Sequence, residues 1–352
     1  MEIDDLLSTR IRSLGFILTC MVVMIHSQCY HPLEAANSPD RDLKALLFLE
    51  VFLSEGISRV AVPFFFLISG ALFCKDFASS AFWYLRKIKS RVRSLAVPFI
   101  LWSAINFVLI LVAQSLPVFR TYFDRVLISE MGLGGILLKL FWRPYCGQFW
   151  FIRDLFILVL LSPVIAFLIT RIPRVFLTVV AVLWLLGLSP DDTGVSVEGL
   201  LFFSAGAFVA IRLSRVPSRI PHAKVLPVVW LALVLARATV FVGTGVNLLV
   251  VHKLSIVAGI LALWFNCDEI VSFLRLDRYR VVRGYSFFIF AFHLPMMVVL
   301  NKLLLRTSQS SEVLRIAQYL TLPVVAIALS LAVGTFLKKS TPSLFGLLTG
   351  DR

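Results

Sequence analysis

The chain has 352 residues, of which 59% are hydrophobic and only 15% are charged. About a quarter of the residues in a soluble domain are charged, so this composition excludes an ordinary soluble protein and predicts that lipid covers most of the surface. The net charge of +14 is also found in nucleic-acid-binding proteins. Here the basic residues stand in short segments between apolar runs, which is typical of membrane anchoring and argues against nucleic acid as a partner.

Ten apolar stretches predict the transmembrane helices. They fall at about 12–30, 58–74, 95–116, 150–170, 173–188, 198–213, 225–243, 247–266, 284–304 and 316–337. Most have the length needed to cross the hydrocarbon core, but 173–188 is short, and a tilted or re-entrant segment is the alternative there. The stretch 128–142 is too interrupted to span and is predicted to be an interfacial helix. We therefore predict an all-α, polytopic integral membrane bundle, a single domain over residues 1–352 with no soluble domain.

The distribution of lysine and arginine predicts the orientation. If the N-terminus is cytoplasmic, most basic residues outside the helices fall in inside segments, so both termini are predicted to be cytoplasmic. The longest loops, at about 31–57 outside and 75–94 inside, are too short to fold alone.

The cysteines predict neither a disulfide framework nor a zinc site, because their number is odd and no CxxC pair exists. They are Cys20, Cys29, Cys74, Cys146 and Cys267. A single bridge between Cys29 and Cys146 remains an alternative. No metal-ligand spacing is present, so we expect no metal and no bound cofactor.

The first helix carries the clearest candidate for chemistry, His26. An imidazole facing the bundle interior can accept a proton from an alcohol because its reference pKa is near neutrality. The alternative is a structural histidine bonded to a neighbouring helix, and from the residue alone the two are evenly balanced. Arg12 lies 14 residues earlier, within roughly 40° of the same helix face and about 21 Å down the axis. A phosphate-rich donor gripped at Arg12 could therefore react at His26.

The second stretch begins with Arg59, and Pro63 is predicted to break or start its helix. Ser69 and Gly70 form a small notch, for which helix packing is the favoured interpretation. The inside loop that follows is strongly basic and includes Arg91 and Arg93. Such a patch could bind the phosphates of a nucleotide-bearing donor, although an anchor on anionic lipid is the simpler interpretation.

Two later stretches contain further polar residues. Trp150 opens the fourth stretch and fits an aromatic belt, and Arg153 and Asp154 follow it. Adjacent helical residues do not face each other, so we expect each to have a partner on another helix or in a wet cavity rather than to pair internally. His293 stands in the ninth stretch among aromatic residues, where a structural and a functional role are evenly balanced.

Taken in order, these segments resemble the acyltransferase 3 family of bacterial membrane proteins over the whole chain. The matching residues are VVMIHS ending the first helix, SRVAVPFFFLISGALF in the second, Val97-Pro98-Phe99, the segment from Trp150-Phe151 to Ser162-Pro163, and the segment from Ser286 to His293. The resemblance implies a ten-helix, multi-pass enzyme of the bacterial inner membrane. It implies transfer of an acyl group, usually acetyl from acetyl-CoA, to a hydroxyl of a surface or exported carbohydrate, free or lipid-linked.

The resemblance also implies roles for particular residues. His26 matches the essential histidine, His293 is a candidate to orient the acceptor or the acyl group, and Arg91 and Arg93 match the paired arginines of the inside loop. An arginine is expected 11 residues before the histidine, where this chain has Gly15. Arg12, one turn away, is the candidate to replace it. Otherwise binding of the acyl donor is altered or the protein is inactive. Apart from the resemblance, Arg59 or Arg153 could stabilise the oxyanion if the packing brings either close.

Two other functions are compatible with parts of the sequence. A transporter or flippase of a lipid-linked sugar would also use intramembrane charges, but it needs a continuous polar path, and few polar residues stand mid-helix. A non-catalytic membrane partner of another glycan enzyme is suggested by Gly15.

Overall fold

The computed structural model describes residues 2–28, 43–120, 127–188, 194–213, 217, 220–275, 282, 284–308 and 311–351. Helices make up most of these residues, and none of them forms a strand. The all-α fold predicted from the sequence is therefore confirmed. Cys29 and most of the loop around it lie outside the described residues, and the cysteines that are described are free thiols.

Three long helices come first in the chain. Helix α1 spans Glu2–Ile25, α2 spans Lys44–Phe73 and α3 spans Ala81–Ser115. Helix α2 contains a π-helical segment, Glu50–Ile57, and then a 3₁₀ turn. The α-helical geometry resumes just before Pro63, which has no N–H to donate to the preceding turn and so disturbs the regular ladder there.

Eleven further helices of at least seven residues follow in the described ranges. They are α4 (Leu133–Phe141), α5 (Trp150–Leu160), α6 (Ser162–Arg171), α7 (Pro173–Leu185), α8 (Val197–Arg212), α9 (Val225–Thr244), α10 (Leu249–Phe265), α11 (Cys267–Phe273), α12 (Ser286–Ser308), α13 (Glu312–Ser340) and α14 (Pro342–Thr349). The chain bends by 61° between α5 and α6 and by 72° between α10 and α11.

Every predicted apolar stretch coincides with one or two of these helices. Within the described ranges, four helices are long and apolar enough to cross a membrane, or up to six if each bent pair is one span. Length and composition thus support a membrane protein. The count of ten spans and the cytoplasmic location of the termini remain predictions.

Two segments predicted as loops are instead helical. Residues 44–57 belong to α2, and residues 81–94 belong to α3. Both segments carry charges that interrupt the hydropathy, which made them resemble loops. In α2 the charge of Glu55 is paired with Arg59, one turn along the helix. In α3 the hydroxyl of Ser80 accepts a hydrogen bond from the backbone N–H of Trp83 and caps the helix.

Helix α1 packs against α2, α12 and α13, so its side chains face the middle of the bundle. The backbones of α2 and α8 approach closely at Gly70 and Gly206, where an added Cβ would stand 2.0 Å from a carbonyl oxygen of the other helix. Gly70 is therefore a packing residue, as predicted. We call the side of the bundle where Arg12 lies proximal and the side where Gln28 lies distal.

Candidate active site

Two histidines that stand 267 residues apart in the sequence meet inside the bundle. His26 follows the last turn of α1, and His293 lies in α12. Their ring centroids are 5.3 Å apart and the rings are tilted by 39°. His26 is partly buried, whereas His293 is completely buried. His26 is therefore the member of the pair that a substrate can reach.

The hydrogen bonds of His293 define the state of its ring. Its Nδ1 lies 3.1 Å from the carbonyl oxygen of Ile289. Because a carbonyl oxygen can only accept, Nδ1 carries the proton and Nε2 is left as an acceptor. That buried Nε2 has no hydrogen-bond partner among the described residues. A proton-accepting nitrogen is thus held in the protein interior beside His26.

A cavity of about 940 Å³ opens on the proximal side below the histidines. Arg12 and Gly15 of α1, Ser69 of α2 and Arg91 of α3 all line it. Phe290 lines its inner end, and the Phe290 ring lies 6.2 Å from that of His293. The cavity therefore runs from arginine side chains at one end to an aromatic ring next to the histidine pair at the other.

Gly15 leaves open space in the wall of this cavity. A Cβ added at Gly15 would meet no atom within 4 Å. Arg12 stands one turn away on the same helix face, lines the same cavity and is exposed. The structure thus brings Arg12 into the region where an arginine at position 15 would reach.

The two arginines predicted for the inside loop differ in position. Arg91 lines the cavity, whereas Arg93 is an exposed side chain outside it. The Nη2 of Arg93 lies 2.5 Å from a carboxylate oxygen of Asp351, which is itself at the cavity wall. The cavity mouth thus combines two arginines that line it with a third that is paired beside it.

Trp150 and Arg153 lie on α5, and none of their described contacts is with His26 or His293. The Trp150 ring packs 6.3 Å from that of Phe66. The expectation that Arg153 and Asp154 do not pair is wrong, because Arg153 donates to Asp154 from Nε at 3.1 Å and from Nη2 at 2.9 Å. The long arginine side chain folds back along the helix to reach its neighbour.

The Arg153–Asp154 pair also has the partners on other elements that we predicted. Arg153 donates to the carbonyl oxygen of Trp142, and Asp154 accepts from the backbone N–H of Ser196 at the start of α8. These bonds tie three segments of the chain together. The described contacts give Arg153 a structural role and do not bring it to His26.

Arg59, in contrast, lies on the distal side, near enough for its charge to act on His26. Its guanidinium makes a two-pronged contact with Glu55, with Nη2 at 2.6 Å from Oε1 and Nε at 2.9 Å from Oε2. Gln28 donates to the same carboxylate at 3.1 Å. The charge of Arg59 acts on the His26 ring. Arg59 is thus held close to His26 by a neighbouring carboxylate.

Further charged residues from three helices extend this region. Arg237 of α9 donates to the backbone oxygen of Glu55 at 3.0 Å, and the charges of Arg237 and Arg59 both act on His252 of α10. Lys253 lies 3.8 Å from Glu198 of α8. We call this group the distal polar cluster, and its members are Gln28, Glu55, Arg59, Glu198, Arg237, His252 and Lys253.

Sequence analysis missed most of this cluster. Its members come from five separate segments in or near apolar runs, so no local motif connects the whole set. The signal that was available is the occurrence of an isolated charge within a membrane helix, as at Arg237 and Lys253, which by itself marks a functional candidate.

Two buried thiols outside the spanning helices are poorly suited to carry an acyl group. Burial raises the pKa of Cys74 to about 12, and it raises the pKa of Cys146 to about 12 as well. A thiolate is the nucleophilic form of cysteine, and neither thiol supplies it at neutral pH. The imidazoles are the better candidates for the chemistry.

Comparison with known proteins identifies the family. The model described as an acyltransferase domain, that of the acyltransferase 3 family, matches residues 13–335. This chain belongs to that family. The acyltransferase is also 28% identical to the succinoglycan biosynthesis protein ExoH of Rhizobium meliloti (strain 1021), over 99% of this chain and 94% of ExoH. No solved structure matches the acyltransferase chain.

Proposed function

We propose that this acyltransferase is an O-acyltransferase of the bacterial inner membrane, which transfers an acyl group from acyl-CoA to a hydroxyl of an envelope or exported carbohydrate. The observation that carries the proposal is the His26–His293 pair, which is separated by the Phe290 ring from a cavity lined by arginines. The relationship to a succinoglycan biosynthesis protein supports a carbohydrate acceptor. Acetyl-CoA is the proposed donor because the family usually transfers acetyl.

In the proposed reaction the donor enters the proximal cavity. Its phosphates lie against Arg12 and Arg91, because guanidinium groups form paired, charge-assisted hydrogen bonds with phosphate. The thioester then points towards Phe290. A side-chain rotation of Phe290 brings the acyl carbon within reach of the histidines.

His26 is the proposed general base. It takes the proton from the acceptor hydroxyl as the oxygen attacks the acyl carbon, so that a C–O bond forms and the C–S bond breaks. The proton then passes to the departing thiolate. Nε2 of His293 orients His26 or shares its proton, and Arg59 stabilises the oxyanion. No group is oxidised or reduced.

The flippase hypothesis needs a continuous polar path, which the rings between the two sides oppose. Phe151 and Phe290 both line the inner end of the cavity, with ring centroids 6.0 Å apart. A lipid-linked sugar is therefore better accommodated as an acceptor that stays on one side than as cargo that crosses.

The decisive experiment follows acyl transfer by the purified full-length chain in lipid vesicles. Wild type, His26→Gln and His222→Asn are supplied with radiolabelled acetyl-CoA and an extract of envelope carbohydrate, and labelled glycan is separated by chromatography. His222 is an exposed histidine at a backbone φ of 57°, a conformation that asparagine tolerates, so His222→Asn is the matched control.

We expect His26→Gln to lower transfer by roughly 10²- to 10⁴-fold, the usual contribution of a general base, while His222→Asn retains the wild-type rate. Wild-type transfer that His26→Gln leaves unchanged would exclude the histidine as the base. If wild type transfers no acyl group from acetyl-CoA or from any other acyl-CoA supplied in its place, the result would argue against an enzymatic function. It would favour the hypothesis of a non-catalytic partner.

A further inference from the structure

The distal polar cluster is open to a polar ligand. The Arg59 side chain is 42% exposed although it belongs to a membrane-spanning helix. A guanidinium facing lipid is strongly unfavourable, so we infer that this exposed part faces water on the distal side, in a region that we call the distal crevice. Glu55 and Glu198, the partners of two cluster cations, also retain some exposure. A ligand can therefore contact the cluster from the distal side.

The crevice is next to the reactive histidine. Gln28 lies two residues beyond His26 and hydrogen-bonds to Glu55, which holds Arg59. A molecule bound to these side chains has its hydroxyl groups close to His26. The proximal cavity, by contrast, approaches the pair from the other side and is lined by Phe290, whose ring lies 6.2 Å from that of His293. The two substrates thus have separate places on either side of the histidines.

The charges of the cluster do not balance. Arg59, Arg237 and Lys253 are cations, whereas Glu55 and Glu198 are its only carboxylates. Arg237 is only 6% exposed, and its described hydrogen bonds go to the neutral oxygen atoms of the Glu55 backbone and the Asn247 side chain. Among the described residues no carboxylate lies within 4.0 Å of Arg237. The charge of Glu55 acts on Arg237, but Glu55 is bonded directly to Arg59, so the two arginines share one carboxylate. A buried cation that is only partly compensated is costly, so a bound anion would stabilise this arrangement.

We propose that the distal polar cluster is the acceptor subsite, and that it selects a saccharide bearing an anionic group, a carboxylate or a phosphate, near the hydroxyl that is acylated. The inference rests on the proposed function and adds the place and the charge of the acceptor. Lys253 contacts the anionic group and the charge of the buried Arg237 attracts it from behind, while Gln28 and Glu55 bind sugar hydroxyls beside His26. Guanidinium and ammonium groups both suit these two kinds of anion.

The test measures binding rather than turnover. Isothermal titration of the detergent-purified full chain uses a short galacturonate oligosaccharide, the same oligosaccharide after reduction of its carboxylates to alcohols, and a polyprenyl-diphosphate-linked disaccharide. We expect wild type to bind at least one anionic probe about tenfold or more tightly than the reduced oligosaccharide, as for a charge-assisted hydrogen bond. The probe that binds identifies carboxylate or phosphate as the recognised anion.

Variants locate the binding. Lys253→Gln and Arg237→Gln should each weaken the anionic probe about tenfold, while Lys139→Gln should not, because Lys139 lies outside the cluster over the Tyr145 ring. If Arg237→Gln fails to fold, the affinity of Lys253→Gln for the anionic probe tests the subsite instead. Any of three results would overturn the proposed subsite. They are equal binding of the charged and reduced probes, no binding of any probe, and equal losses of affinity in all three variants. Histidine-dependent acyl transfer, measured on the same preparations, shows separately whether the proposed function stands.

Discussion

Gly15→Arg should strengthen binding of the acyl donor. An added Cβ meets nothing within 4 Å, so the new side chain can extend into the proximal cavity. Hydrogen bonds to a charged group contribute about 1.5–3 kcal/mol. Repulsion from Arg12, three residues away, subtracts about 0.2–0.5 kcal/mol. The expected gain is about 1.0–2.8 kcal/mol, or about five- to a hundredfold in donor affinity.

The fold should tolerate this change. Glycine in a helix interior is less favourable than arginine by up to roughly 1 kcal/mol, so α1 becomes more stable if anything. The assay is the KM for acyl-CoA in vesicles at low and high salt, because an effect of phosphate binding weakens as salt increases.

Combining Arg12→Gln with Gly15→Arg shows whether an arginine at position 15 can replace Arg12 or only adds positive charge to the cavity. Arg12→Gln alone should raise the KM for acyl-CoA by about tenfold, and Gly15→Arg in that background should restore it. If neither single variant changes the donor KM, the phosphates do not bind in this cavity and the assignment of Arg12 is refuted.

Two further predictions concern stability. Gly70→Ala should destabilise the protein by at least about 1–3 kcal/mol, because its Cβ would stand 2.0 Å from the carbonyl oxygen of Phe203. The control is Gly134→Ala, where an added Cβ meets nothing within 4 Å. Equal melting temperatures of the two variants in detergent would contradict the close contact between α2 and α8. Asp154→Asn should cost roughly 3 kcal/mol because it leaves the charge of Arg153 without its buried partner. The same melting assay tests this against the exposed Glu130→Gln, and a similar small shift in both would argue against a structural ion pair.

The positions of the helices could be predicted because long apolar runs identify them directly. The helical segments at 44–57 and 81–94 were missed, since their charges lower the hydropathy even where a helix buries one face. Arg12, Ser69 and Arg91 could be proposed from the sequence, and the structure places all three on one cavity.

The assembly of the site could not be predicted. The approach of His293 to His26 depends on how α12 packs against α1, and no short-range pattern records that packing. The same holds for the distal polar cluster, where Glu55 meets Arg237 across helices separated by 182 residues of sequence. Sequence alone identifies such charges as exceptional but does not say which of them meet.

The aromatic rings at the inner end of the cavity have a consequence for the cell as well as for the substrates. Phe151 and Phe290 line the cavity, with ring centroids 6.0 Å apart, and Phe66 packs against Phe151 at 4.8 Å without lining the cavity. A membrane that stores a voltage holds about 2.3 kcal/mol per elementary charge for each 100 mV. Proton leakage needs a chain of water or polar groups, and these rings interrupt it. The proximal cavity therefore does not by itself provide a proton path through the bundle.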